Sequence, residues 1–291
     1  MTEPLRIPAA DPHPRPPRWA VGPGAWDTHA HVFGPHARYP LPADRPYTPP
    51  EQTVQDYRTL LDALGLRYGV LVQPSVYGTD HCCMLDALAA QPGRLFGVVD
   101  CDILTLPDRE AARMAALGVK GLRMRWPNAG GVSRLASAAA RLREIGWHLD
   151  LLPANFAAMA ELAPHLRDLG LPIMVEAMGH PDPGEPFGAS GFQALLGMAR
   201  SGTVSVKLSH PYHIDPRGLP YAAAAPLARA LVEAAPTQLV WGSDWPHPMK
   251  HDRIPNDGDL LDLLPEWAGS VEQANAILID NPRLFYGDPE S

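Results

Sequence analysis

A (β/α)8 TIM barrel is the fold this sequence predicts, on three observations. Eight short apolar runs are rich in β-forming residues: Ala25–Val32, Tyr68–Ser75, Leu95–Asp102, Val119–Trp126, His148–Pro153, Ile173–His180, Val204–Ser209 and Gln238–Asp244. Their unbroken hydrophobicity suits parallel strands buried on both faces. The steps from His31, near the end of the first run, to Asp244, at the end of the last, average about 30 residues, the length of one strand–helix unit of such a barrel. Polar residues, finally, gather at the C-terminal ends of the runs, where barrels of this class carry their sites.

Between the runs lie amphipathic patterns that read as helices: Val54–Leu64, Arg109–Leu117, Leu135–Ile145, Met159–Leu169, Phe192–Arg200 and Ala224–Ala235. A glycine often follows (Gly65, Gly118, Gly146, Gly170, Gly202), as expected of a helix stop. A doubly wound open sheet would want a G-x-G-x-x-G or P-loop pattern, and none occurs. The first step is the longest. Its excess is a Pro-rich loop, residues 37–50, too irregular for an element of its own and placed to cover the mouth of the site.

The chain of 291 residues is 46% hydrophobic, enough for one large core, so residues 25–291 are expected to form a single barrel domain. Residues 1–24, rich in Pro and charge, read as an extended surface arm without the apolar core of a signal peptide. A formal charge of −8 argues against nucleic acid or an anionic membrane as partner, and no apolar stretch is long enough to span a bilayer. Cys82, Cys83 and Cys101 lack C-x-x-C spacing; Cys82 and Cys83 follow an Asp80 cap and should pack as small apolar residues. Free thiols suit a reducing compartment, so a cytoplasmic monomer or homodimer is expected.

The chemistry-bearing residues follow the runs. His29 and His31, at i and i+2 on the first strand, share a face at the top of the barrel. Such a pair can share a metal or donate together to a developing oxyanion. His180 closes the sixth run, and Asp244 closes the eighth beside Trp245 and Pro246, where a carboxylate suits a general base. His247 either supports Asp244 or is only a loop residue. Arg123 and Arg125 end the fourth run and offer forked donors to an anionic substrate, the alternative being a salt bridge inside the barrel with Asp102 or Glu176. Ser75, Tyr77 and Tyr47 could add hydroxyl contacts. Lys207, on the seventh strand, should pair with a neighbouring carboxylate, and Asp150 should face a neighbouring strand or helix. No G-x-S-x-G elbow is present.

At these residues the sequence resembles the amidohydrolase-related family, over about residues 25–287. The motifs are DTHAHVFGP, RPYTPP, VLVQPSVYGTD, VKGLRMRW, GHP, VKLSHPY, LVWGSDWPHP and DNPRLFYG. The branch it is most similar to contains 2-pyrone-4,6-dicarboxylate lactonase, with sulfomuconolactone hydrolases and sugar-acid lactonases as relatives. The resemblance implies hydrolysis of a small anionic lactone. Asp244 would activate water, while His29, His31 and His180 polarise the carbonyl. No metal would be required; one Zn²⁺ or Mn²⁺ on His29, His31, His180 and Asp244 is the alternative. Decarboxylases of the same superfamily share this set and supply the second functional expectation.

Three departures refine the substrate. The branch's strand seven reads KLSG-PYR, whereas here it runs Lys207-Leu208-Ser209-His210-Pro211-Tyr212-His213, so His213 stands for the substrate-binding Arg. Met249 replaces an Asn, and Leu151 and Leu152 stand where a Tyr is usual. Each change removes a donor for a second carboxylate, predicting a less acidic lactone than the dicarboxylate pyrone.

Overall fold

The computed structural model describes residues 4–185 and 187–289. Its centre is an eight-stranded parallel sheet in sequential order: β1 (Trp26–Ala30), β2 (Tyr68–Val72), β3 (Leu95–Val99), β4 (Val119–Trp126), β5 (His148–Pro153), β6 (Ile173–Val175), β7 (Ser205–Leu208) and β8 (Leu239–Trp241). The edges meet just beyond the strands: the His31 N–H donates to the Trp245 carbonyl at 2.7 Å and Asp244 N–H to the His29 carbonyl at 2.8 Å. Gly242 permits the approach, since a Cβ there would lie 2.6 Å from His29 Cβ. Helices fill the connections and cover the outer face, as parallel strands require.

β4 and β5 coincide with the predicted runs, and the first helix, Val54–Leu64, does so as well. Its Thr53 cap and Asp56 form a reciprocal capping box, and Gly65 closes it at φ 73°. The other runs were read too long at their C-terminal ends. β6 stops at Val175 rather than His180, because Ala177, Met178 and His180 all take positive φ and leave the ladder. β8 stops at Trp241 rather than Asp244, and β2 at Val72, followed by a 3-10 turn at Ser75–Tyr77. The lost residues are the ones at the mouth: turning there aims their side chains into a site.

The Pro-rich loop is not wholly irregular. Tyr47–Thr48 pairs in parallel with Leu5–Arg6 of the N-terminal arm. Farther along, the arm crosses the C-terminal helices: Arg15 N–H donates to Asn256 Oδ1 at 3.0 Å, and Gly22 N–H to Asn275 Oδ1 at 2.7 Å. Cys83 is buried as expected, but Cys82 is exposed; all three cysteines are free thiols. Among the described residues no helix is long and apolar enough to cross a membrane.

Inside the barrel, two buried ion pairs lie among apolar side chains. Asp150 points inward rather than at a neighbouring strand or helix, and its Oδ2 takes Lys207 Nζ at 2.5 Å, both side chains being fully buried. Burial raises the Asp150 carboxyl against the pull of Lys207. Arg123 holds Glu176 through two bonds, Nε–Oε1 at 2.9 Å and Nη2–Oε2 at 2.6 Å. Such pairs lose hydration and regain it as mutual attraction, so breaking one is costly.

Candidate active site

Asp244 is the centre of the mouth. It follows β8 in the left-handed region at φ 61°, a conformation that costs a non-glycine residue about 1–3 kcal/mol and collects at functional sites. The cause of its placement is Asp27 on β1. Asp27 Oδ1 accepts Ser243 N–H at 2.9 Å and His29 N–H at 3.1 Å, and Oδ2 accepts the Ser243 hydroxyl at 2.6 Å and Tyr57 OH at 3.1 Å. One buried carboxylate thus ties the strand carrying the histidine pair to the turn carrying Asp244. Burial lifts Asp27 to about 6 in spite of these four donors.

Around Asp244 Oδ1 stand three imidazole Nε2 atoms: His29 at 3.5 Å, His31 at 3.3 Å and His210 at 2.8 Å. Tyr212 OH donates to Oδ2. Burial alone would raise this carboxyl, but the charge and contact of His210, with His31 behind it, hold it well below the ordinary range. Despite the crowding, none of the donors is aligned on Oδ1, and His29 Nε2 likewise has no hydrogen-bond partner among the described residues.

The partners of the other ring nitrogens fix what each imidazole offers. His31 Nδ1 lies 2.7 Å from the Val72 carbonyl and His180 Nδ1 3.1 Å from that of Ala154, so both rings carry a proton on Nδ1. His29 is fully buried with Nδ1 3.4 Å from Lys207 Nζ, and burial, aided by that ammonium, drives its basicity far down. Burial also lowers His180, which stacks on His213 at 4.0 Å. His213 itself falls to about 4, through burial first and His180 second.

A cavity of about 270 Å³ opens on this cluster. Of the sequence candidates, His31, His180, Asp244, Arg123, Arg125, Ser75, Tyr47 and His213 line it. His29 sits behind Asp244 instead. Tyr77 and His247 lie outside. The Tyr77 hydroxyl accepts Gly34 N–H at 3.0 Å and braces the loop after β1, while His247 is fully buried with Nε2 3.2 Å from Asp257 Oδ1. Arg123 reaches the cavity with its charge already met by Glu176; Arg125, 42% exposed at the rim, pairs with Asp100 at 2.7 Å rather than with Asp102. Pro74, Leu152, Pro248 and Met249 supply the apolar part of the wall.

Sequence reasoning missed His210, Tyr212 and Asp27. The sequence signal for His210 is the substitution itself, a His where the resembled branch has Gly.

Could these residues hold a metal ion? His29 Nε2, His31 Nε2 and Asp244 Oδ1 lie within 4.8 Å of one another, all buried, and two of the three atoms lack aligned partners. His31, with Nδ1 held by a backbone carbonyl, has the wiring of a metal-bound histidine. The donor set fits one divalent cation. His180 is not part of that group.

The model of the family described as amidohydrolase matches residues 26–287. A 4-sulfomuconolactone hydrolase of Hydrogenophaga intermedia is 36% identical over 285 residues, covering 94% of this chain and 92% of that protein. A 2-pyrone-4,6-dicarboxylate hydrolase of Comamonas testosteroni is 31% identical over 291 residues, covering 96% and 95%. Among solved structures, a candidate 2-pyrone-4,6-dicarboxylic acid hydrolase of Pseudomonas putida superimposes with a TM-score of 0.79 at 32% identity, covering 92% of this chain and 98% of that one. The eight-stranded parallel barrel and the residues at its mouth are therefore those of a protein that belongs to the amidohydrolase family.

Proposed function

We propose that this protein hydrolyses a carboxylate-bearing lactone, with Asp244 as the base that activates water. One observation carries the reading: an ionised, fully buried carboxylate, ringed by imidazoles, forms the floor of a cavity large enough for a small ring. Lactone opening needs a base for water, a positive environment for the carbonyl oxygen, and a place for the substrate's own charge. Asp244 takes the water proton as the hydroxyl oxygen bonds to the carbonyl carbon. The imidazole cluster faces the charge that develops there. The ring C–O bond then breaks, and the proton held by Asp244 is available to the departing oxygen. The names of the relatives, all lactone hydrolases in the comparisons above, support the same class.

The cations of the cavity support a substrate with a single carboxylate. Arg123 is neutralised by Glu176, and Arg125 at the rim is the one guanidinium able to leave its partner cheaply, because its pair with Asp100 is half-exposed and worth about 0–1 kcal/mol. His213, largely neutral near pH 7, and Met249 add no charge opposite it. The three free cysteines fit a cytoplasmic location for this chemistry.

The cluster's fit to a cation favours a second form of the same reaction. His29, His31 and Asp244 would hold the ion, which when bound supplies Lewis-acid polarisation of the carbonyl. Elemental analysis together with a lactone panel, run before and after chelation, separates the two. Turnover that survives with no stoichiometric metal supports polarisation by side chains alone. About one Zn²⁺ or Mn²⁺ per chain, with turnover lost on chelation, overturns the metal-free form. A metal-dependent protein that opens no lactone but releases CO₂ from a carboxylic acid would replace hydrolysis with decarboxylation.

A further inference from the structure

Among the described residues, the N-terminal arm lends none to the cavity wall, yet it is fastened to two sides of the mouth. Its middle is tied to the chain after β8. Arg15 N–H and Gly258 N–H share Asn256 Oδ1 at 3.0 and 3.1 Å, and Asn256 Nδ2 donates to Asp11 Oδ2 at 2.8 Å. A Cβ on Gly258 would lie 2.2 Å from the Arg15 carbonyl oxygen, so the arm here runs directly over backbone.

From that anchor the arm crosses to the loop after β1. Leu5–Arg6 pairs in parallel with Tyr47–Thr48, and Ile7 N–H donates to the Thr48 carbonyl at 2.9 Å. Ala10 N–H donates to Gln52 Oε1 at 2.8 Å. Of residues 5–10, Ile7 and Ala10 alone are buried. Main-chain bonds hold this piece of the arm, and it completes little of the core.

Its effect falls on the segment it pairs with. Tyr47 is the one residue of the loop 36–52 that lines the cavity. Its side chain is buried, and Ser75 Oγ donates to its hydroxyl oxygen at 3.5 Å, which leaves the phenol O–H to a bound molecule. The rest of the loop has its own ties, from Gln52 to Phe33 and from Arg38 and Tyr39 to Asp86. Between those ties, Tyr47 and Thr48 take their strand partners from the arm.

We propose that residues 5–10 of the arm are a positioning element of the active site, holding Tyr47 where its hydroxyl donates to a bound lactone. The inference rests on the lactone reading above. The arm itself touches no substrate. By fixing the backbone at Tyr47 it spares binding the cost of ordering a loop, which lowers KM and leaves the chemical step alone.

The test is a double-mutant cycle in the full chain, with KM, kcat and thermal melting measured for each protein. Ile7→Pro removes the N–H that Thr48 accepts, in an arm already rich in proline. It is expected to raise KM about three- to tenfold, the range of one lost hydrogen bond, with kcat within about twofold of wild type. Ala10→Pro removes the donor to Gln52 and should act in the same direction, should Ile7→Pro prove too unstable to assay. Tyr47→Ala takes away the side chain that the arm positions. In that background Ile7→Pro should change KM by less than about twofold. A KM that rises equally with and without the Tyr47 side chain would show that the arm acts elsewhere, and the inference would fall. So would an unchanged KM in both arm variants, whatever the melting temperature does; the arm would then be a structural strap and the lactone reading would stand. A wild-type protein that opens no lactone ends that reading and the inference with it.

Discussion

The two ends of the barrel handle buried polarity in opposite ways. At the floor, Trp26 of β1 packs against Tyr68, Phe96 and Tyr286, with ring centroids 4.8, 5.2 and 5.7 Å away. At the mouth, Asp244 sits among His29, His31 and His210. Among the described residues both ends hold buried polar atoms with no aligned hydrogen bond: Trp26 Nε1 and the Tyr286 hydroxyl below, Asp244 Oδ1 and His29 Nε2 above. An unpartnered atom by itself is therefore a poor marker of a site. What distinguishes the mouth is that Asp244 carries charge, is ringed by imidazoles, faces a cavity and rides on a left-handed backbone, a state that only surrounding structure can enforce. Floor residues close the core; mouth residues are held in place by it.

That contrast can be broken by mutation. Trp26→Ala should cost about 3–5 kcal/mol of unfolding free energy by urea titration, because a fully buried ring leaves a void that neighbours fill poorly. Turnover at a temperature where the variant stays folded should match wild type; a large loss of kcat would mean that the floor is coupled to the chemistry. Arg125→Gln should do the reverse. Its half-exposed pair with Asp100 contributes little to stability, so melting should barely move, while KM for an anionic lactone rises about tenfold, some 1.4 kcal/mol of binding. An unchanged KM would remove Arg125 from substrate binding.

A smaller effect concerns pH. His213 has its basicity lowered from 6.5 to about 4 in the folded protein, mainly by burial. The unfolded chain therefore takes up that proton first as pH falls, and folded stability drops between about pH 6.5 and 4. His213→Asn should flatten the fall in melting temperature across that window, modestly, since water screens a ring still partly exposed. Identical pH profiles for the two proteins would show that the ring's surroundings are polar.

The fold was legible because a barrel repeats one requirement eight times: a strand buried on both faces must be apolar throughout. β4 and β5 could be bounded from hydrophobicity alone. The same continuity hid the direction of Asp150, since in an apolar run nothing marks which parity points inward; only Lys207, on β7 and distant in sequence, makes the interior tolerable for it. At the mouth, His29, His31, His180 and Asp244 were visible as polar residues ending apolar runs. Tyr77 and His247 lie two and three residues past the ends of their runs, where the chain has already left the ladder, and the turns carry both away from the cavity. His210 lies in the strand-seven motif, but its place beside Asp244 depends on a left-handed turn, which a strand pattern does not encode.

The most direct test of the account is the rate of opening of a monocarboxylate lactone by Asp244→Asn and by wild type, with melting measured on the same samples. The asparagine keeps the shape but cannot take a proton from water. Turnover should fall by about 10²–10⁴-fold while the variant stays folded. An Asp244→Asn protein that opens the lactone within about threefold of the wild-type rate would contradict Asp244 as the base, and with it the reading of the mouth as a hydrolytic site.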